Sequence, residues 1–141
     1  MIMKIITRNL LLFALLLFVY TILFRFGLGQ LLTAEKWLWV IIISVTYGAM
    51  IFVTAWTTGK RDGMENFLFD AGFRWNLTTF LVWGIASEAW FLLDLHSQYE
   101  TIRVVHITLL IWSGFLILHF LLFLILRRRT IKGVHKTDIF E

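Results

Sequence analysis

The stretch Trp37–Thr58, WLWVIIISVTYGAMIFVTAWTT, runs for 22 residues without a charged side chain. A helix needs about 20 apolar residues to cross the hydrocarbon of a bilayer, so this run reads as a membrane span. Trp37 and Trp39 at one end and Trp56 at the other suit the two membrane–water interfaces, where amphipathic rings sit best. Ser44 and Gly48 form a small-xxx-small pair, a packing face for a neighbouring helix.

Working outward, three more segments of the same kind appear. The first is expected over 5–26, with an apolar core at Leu10–Phe24. Arg25 and the length of that core argue against a cleaved leader, even though Gly27-Leu28-Gly29 looks like a small-x-small cleavage site. The third span is placed at 73–93. The fourth, 104–126, is 23 residues without Lys, Arg, Asp or Glu. Gly27 to Lys36 and Asp94 to Arg103 read as short turns. In the longest connection, Asp62-Gly-Met-Glu65 resembles a helix N-cap with its partner three residues later, so a helix is expected to start there and run into the third span.

Composition agrees with this reading. The 141 residues are 60% hydrophobic and 16% charged, against about 25% charged in soluble domains. No Cys is present, which removes disulfides and thiolate chemistry, and no Pro, which favours unkinked helices. The expected fold is an all-α integral membrane protein, four transmembrane helices in an up-down bundle forming a single domain, followed by a basic tail at 127–141. Ten of the thirteen Lys and Arg fall on the side of the N-terminus, the second connection and the C-terminus. The positive-inside rule then puts both termini in the cytoplasm of a plasma membrane, here a bacterial inner membrane. The net charge of +4 reflects that topology and not nucleic-acid binding. Arg127, Arg128 and Arg129 form a membrane-surface anchor, with anionic lipid as their partner.

One acid lies well inside an apolar segment. Glu88 is five residues before Leu93, roughly 7 Å inside that end of the third span. An intramembrane carboxylate is a functional candidate, because it is costly to face lipid with it. Stepping by three and four puts Asp70, Arg74, Leu77, Leu81, Gly84 and Glu88 on one helix face, with Asp70 and Arg74 able to pair and Gly84 admitting a close neighbour. At a similar depth on the other spans come Arg25 and His106, with Asp94 and His96 just outside. These five residues, Glu88, Arg25, His106, Asp94 and His96, make an ion- or proton-handling group or an interhelical polar contact. On the inner side, Asp70, Arg74, Asn76 and His119 form a second polar group.

No other span carries a His to face the two in the fourth, so a haem held by two histidines within one chain is not expected. HExxH, GxSxG and glycine-rich phosphate loops are absent, so no metal, cofactor or catalytic residue is assigned. Trp83 and Trp112 fall near mid-span and either pack between helices or line a cavity. The expected function is a non-enzymatic, self-associating membrane protein with a channel or permeation role that uses the Glu88 face. The alternatives are an accessory or anchor subunit of a larger membrane complex and, third, an enzyme acting on a lipid-like substrate through Glu88, Asp94, His96 and His106.

Overall fold

The computed structural model describes residues 6–66 and 72–132, with no account of the side chains of 65, 66 and 126–132. It is all-helical: α1 (Arg8–Thr33), α2 (Trp37–Asn66), α3 (Phe73–Leu92) and α4 (Ile102–Lys132). Of these, α1, α2 and α4 are long and apolar enough to cross a membrane. The shorter α3 carries Arg74, Asn76 and Glu88. Its position explains how it tolerates Arg74 and Asn76. α1 packs against α2 and α3, and α3 packs in turn against α4, so α3 is flanked on two sides by protein.

Local chemistry fixes the helix ends. Thr7 caps α1 by accepting a hydrogen bond from the Leu10 amide at 3.2 Å. After α1, Glu35 sits in the left-handed region (φ 54°), and the amides of Glu35 and Lys36 close on the carbonyls of Leu32 and Leu31. After α3 the same pattern recurs, with Asp94 at φ 57° and the amides of Asp94 and Leu95 on Phe91 and Trp90. Both are Schellman closures, which satisfy the last free carbonyls of a helix. Within the helices, Thr33, Ser44, Thr46, Thr54 and Thr108 donate their hydroxyls to carbonyls one turn back. That internal bonding lets polar residues sit on an apolar surface.

Three sequence expectations change. α1 does not stop at Phe26: it continues through Gly27 and Gly29 to Thr33. Gly27 faces α2 closely there, since a Cβ would lie 2.7 Å from Ile43 Cδ1 and the isoleucine end would have to shift. Both glycines therefore lie within the helix and not in a turn, and Gly27 marks a close helix contact. Asp62-Gly-Met-Glu65 does not begin a helix but belongs to the last turns of α2. α3 starts after Gly72, whose φ of 78° suits glycine. The interfacial elbow expected at Phe67–Phe69 lies outside the described residues. Finally, α4 carries the arginine block on into Lys132 instead of ending at Leu126.

The burial pattern is inverted relative to a soluble protein. Phe13, Leu17 and Trp75 form the apolar core, joined by Leu10 and flanked by Ile51, Ala55 and Val82. The Phe13 and Trp75 rings meet edge-on at 5.0 Å. Beside this core the interior holds Thr21, Arg25, Asp62 and Ser87, while large apolar side chains such as Leu15, Leu38, Val45, Phe52, Ile85 and Leu110 are exposed. A polar interior inside an apolar surface is what lipid as solvent requires.

Candidate functional site

Polar side chains gather at the two ends of the helix assembly. At one end the start of α1, the end of α2 and the start of α3 come together. Asp62, only 1% exposed, accepts from Arg74 Nη2 at 2.8 Å and from the side chains of Thr7 and Asn9. One carboxylate thus ties three helices. The sequence pairs Arg74 with Asp70; Asp70 lies outside the described residues, and Arg74 forms an ion pair with Asp62.

A second polar knot joins α3 to α4 near this end. Asn76 Nδ2 lies 3.2 Å from His119 Nδ1, and its Oδ1 accepts from Trp112 Nε1 at 3.0 Å. Phe73 packs edge-on against the His119 ring. The structure therefore brings together Asn76 and His119, while Thr54 bonds within its own helix. Replacing Asn76 with Ala strips the acceptor from Trp112, and a cost of about 1–3 kcal/mol is expected for that lost buried partner. Unfolding in mixed micelles checks it, with Asn76→Asp as the variant that keeps the acceptor.

At the opposite end, the five outer residues divide into separate contacts. Arg25 is 6% exposed and does not snorkel at a helix end, because α1 carries on two turns beyond it. Its guanidinium donates to Ser87 Oγ at 2.7 Å and to Glu100 Oε1 at 3.3 Å, and lies 5.5 Å from the Trp83 ring centroid. Glu100 is itself buried, and its Oε2 accepts from the Ser97 amide at 2.9 Å. Trp83 and Arg25 line a cavity of ≈ 240 Å³ together with Phe24, Phe91 and Val105. Glu100 and Ser87 were absent from the sequence-derived group.

Glu88 meets His106 instead of Arg25. Their Oε1 and Nε2 are 2.9 Å apart, and both side chains are about half exposed, at 44% and 58%. The pair lies on the outward surface of α3 and α4. Beside it runs an apolar groove of ≈ 550 Å³ lined by Phe80, Leu81, Ile85, Glu88 and Leu109. Gly84 serves α4 here, since a Cβ on it would come within 3.1 Å of Leu109 Cδ2. Asp94 and His96 form a second pair at 3.6 Å, too long for a hydrogen bond, with Asp94 almost fully exposed. His96 stacks on Phe91 and, with Glu88 and Glu100, lines a groove of ≈ 510 Å³. The side chains of Arg127, Arg128 and Arg129 lie outside the described set. Among the described residues, no three His, Cys, Asp or Glu side chains group closely enough to hold a metal ion.

Chemically, the outer end offers one sequestered ion pair, Arg25–Glu100, and one hydrogen-bonded carboxylate–imidazole pair open at the surface, Glu88–His106, beside the looser Asp94–His96 contact. Comparison with known proteins finds no matching family, no matching curated protein and no matching solved structure.

Proposed function

We propose that this protein crosses a plasma membrane four times, up and down, with both termini cytoplasmic, and that copies of it associate through the α3–α4 face bearing Glu88 and His106. Proton or ion passage then runs along that interface. One observation carries the reading: a carboxylate–imidazole pair stands half exposed on an apolar surface. Facing lipid costs a carboxylate about 2.5–3.5 kcal/mol at the bilayer centre and less near the interface. A second copy seated in the groove beside the pair removes that cost and takes the exposed Leu81, Ile85 and Leu110 with it. Among the described residues, Phe13, Leu17 and Trp75 fill the seam of α1 and α3, which favours a route between copies. The arginine block at the end of α4 is then a cytoplasmic anchor on anionic lipid.

Flux tests this directly. In liposomes with a pH-sensitive dye inside, wild-type protein is expected to conduct, and Glu88→Gln to slow proton entry about tenfold or more, a barrier change of ~1.4 kcal/mol. Equal flux and equal oligomer mass for the two proteins would sink the reading.

A second reading, an accessory subunit of a larger complex, is favoured by α2. A Cβ on its Gly48 would meet nothing within 4 Å and Ser44 is exposed, so the Ser44–Gly48 face is unused among the described residues. Pull-down of a stoichiometric membrane partner, lost on Gly48→Leu, separates this reading from the first.

A further inference from the structure

α1 and α4 each pack against α3, and between them a slot of ≈ 240 Å³ stays open along the side of the molecule. Its walls come from single faces of the two helices. α1 gives Phe24, Leu28 and Leu32, spaced four apart, and α4 gives Val104, Val105 and Thr108. Trp83 and Phe91 of α3 form the floor. These walls can be reached from outside: Phe24, Leu28, Leu32 and Trp83 are partly exposed, and Val104 is 63% exposed. Arg25 and Glu100 also border the slot, but as an ion pair with side chains only 7% and 5% exposed, so they offer an occupant no charge. At the outer end Tyr99 and Thr101, both exposed, bring hydroxyl-bearing side chains to the rim.

We propose that this slot holds one ester-linked acyl chain of a membrane phospholipid. Width decides first. Phe24 to Leu32 spans about 12 Å of α1, so the volume corresponds to a mean cross-section of roughly 20 Å². One alkyl chain fits that width, because its carbons keep about 4 Å from the atoms around them. A helix of a second copy, about 10 Å across, does not. Surroundings decide next. α1 and α4 are both long and apolar enough to cross a membrane, so a slot between them opens onto lipid. Lipid tails are as apolar as the walls, so retention comes from close packing against Phe24, Trp83 and Phe91 and from the rim. Tyr is at home at the membrane interface, and the hydroxyls of Tyr99 and Thr101 are donors to the ester carbonyl that begins an acyl chain. The same chain covers the flank of the Arg25–Glu100 pair and keeps water from it. Glu88 and His106 do not line the slot, so a lipid there leaves their face free for a second copy.

Full-length, delipidated protein in micelles of a steroidal detergent, whose fused rings are too wide for the slot, provides the test. Dioleoylphosphatidylcholine is titrated in, and native mass spectrometry reads bound lipid and oligomer mass together. The expected result is one lipid retained per chain. Val104→Trp fills the slot from an exposed position and is expected to weaken retention about tenfold. Tyr99→Phe deletes only the rim hydroxyl and is expected to weaken it about threefold, a change small enough to fold should Val104→Trp fail. Ile41→Trp, on the exposed surface of α2, is expected to leave it unchanged. No retained lipid overturns the proposal, and so does wild-type affinity in a folded Val104→Trp or Tyr99→Phe variant. A dimer mass that Val104→Trp abolishes also overturns it, by assigning the slot to a second copy.

Discussion

Glu100→Ala is expected to destabilise the protein by about 3–5 kcal/mol, the usual cost of removing one partner of a buried ion pair. Arg25 and Glu100 have side chains only 7% and 5% exposed, so neither charge can turn to solvent when the other is lost. The same substitution frees the Ser97 amide and with it the α3–α4 connection. Glu100→Gln keeps an acceptor of similar shape but leaves the Arg25 charge unneutralised, so most of the loss persists. Replacing both at once, Arg25→Met with Glu100→Leu, removes the stranded charge, and much of the stability returns. Equilibrium unfolding in mixed micelles measures the series. A double variant as unstable as Glu100→Ala would show that packing, and not the ion pair, sets the cost.

The second large effect is expected at the other end of the helices. Asp62→Ala removes the carboxylate that Arg74, Thr7 and Asn9 share, with a loss of about 3 kcal/mol or more. Because Asp62 and its partners bring together three elements, α1, α2 and α3, the damage is cooperative. Asp62→Asn retains an oxygen acceptor and is expected to fall between wild type and Ala. A loss below about 1 kcal/mol, the net worth of one ordinary hydrogen bond, contradicts the shared-anchor account.

Much of this architecture was legible in the chain. Long uncharged runs such as Trp37–Thr58 announce their helices through composition alone, because lipid demands apolar surface along a full crossing. Depth along each span also placed Asn76 near His119, and the structure sets them 3.2 Å apart. What escaped is what depends on direction around a helix axis. Glu88, Arg25 and His106 share a depth, yet Arg25 points to Ser87 and Glu100 while Glu88 points to His106. Glu100 was passed over because it stands in the polar run Asp94–Arg103, which reads as solvent-facing. The hint available was a lone Arg25 near the same end with no counter-charge on its own helix. Asp62 looked like an N-cap, since DGME fits that pattern locally, and its true partners Thr7 and Arg74 are remote in sequence. Gly27 and Gly29 looked like a turn because glycine ends helices in soluble proteins, whereas here Gly27 admits Ile43.

The central claim is that the Glu88–His106 face meets a second copy. The chain has no cysteine, so a single introduced thiol reports contact without background. Ile85→Cys places one in the apolar groove beside Glu88, and Val45→Cys places one on the far face of α2; the native residues are equally exposed, at 67% and 68%. Oxidation in native-lipid membranes is the measurement to make. The account predicts a disulfide-linked dimer from Ile85→Cys, weakened by adding Glu88→Gln, and little from Val45→Cys. Cross-linking through Val45→Cys with none through Ile85→Cys would contradict it.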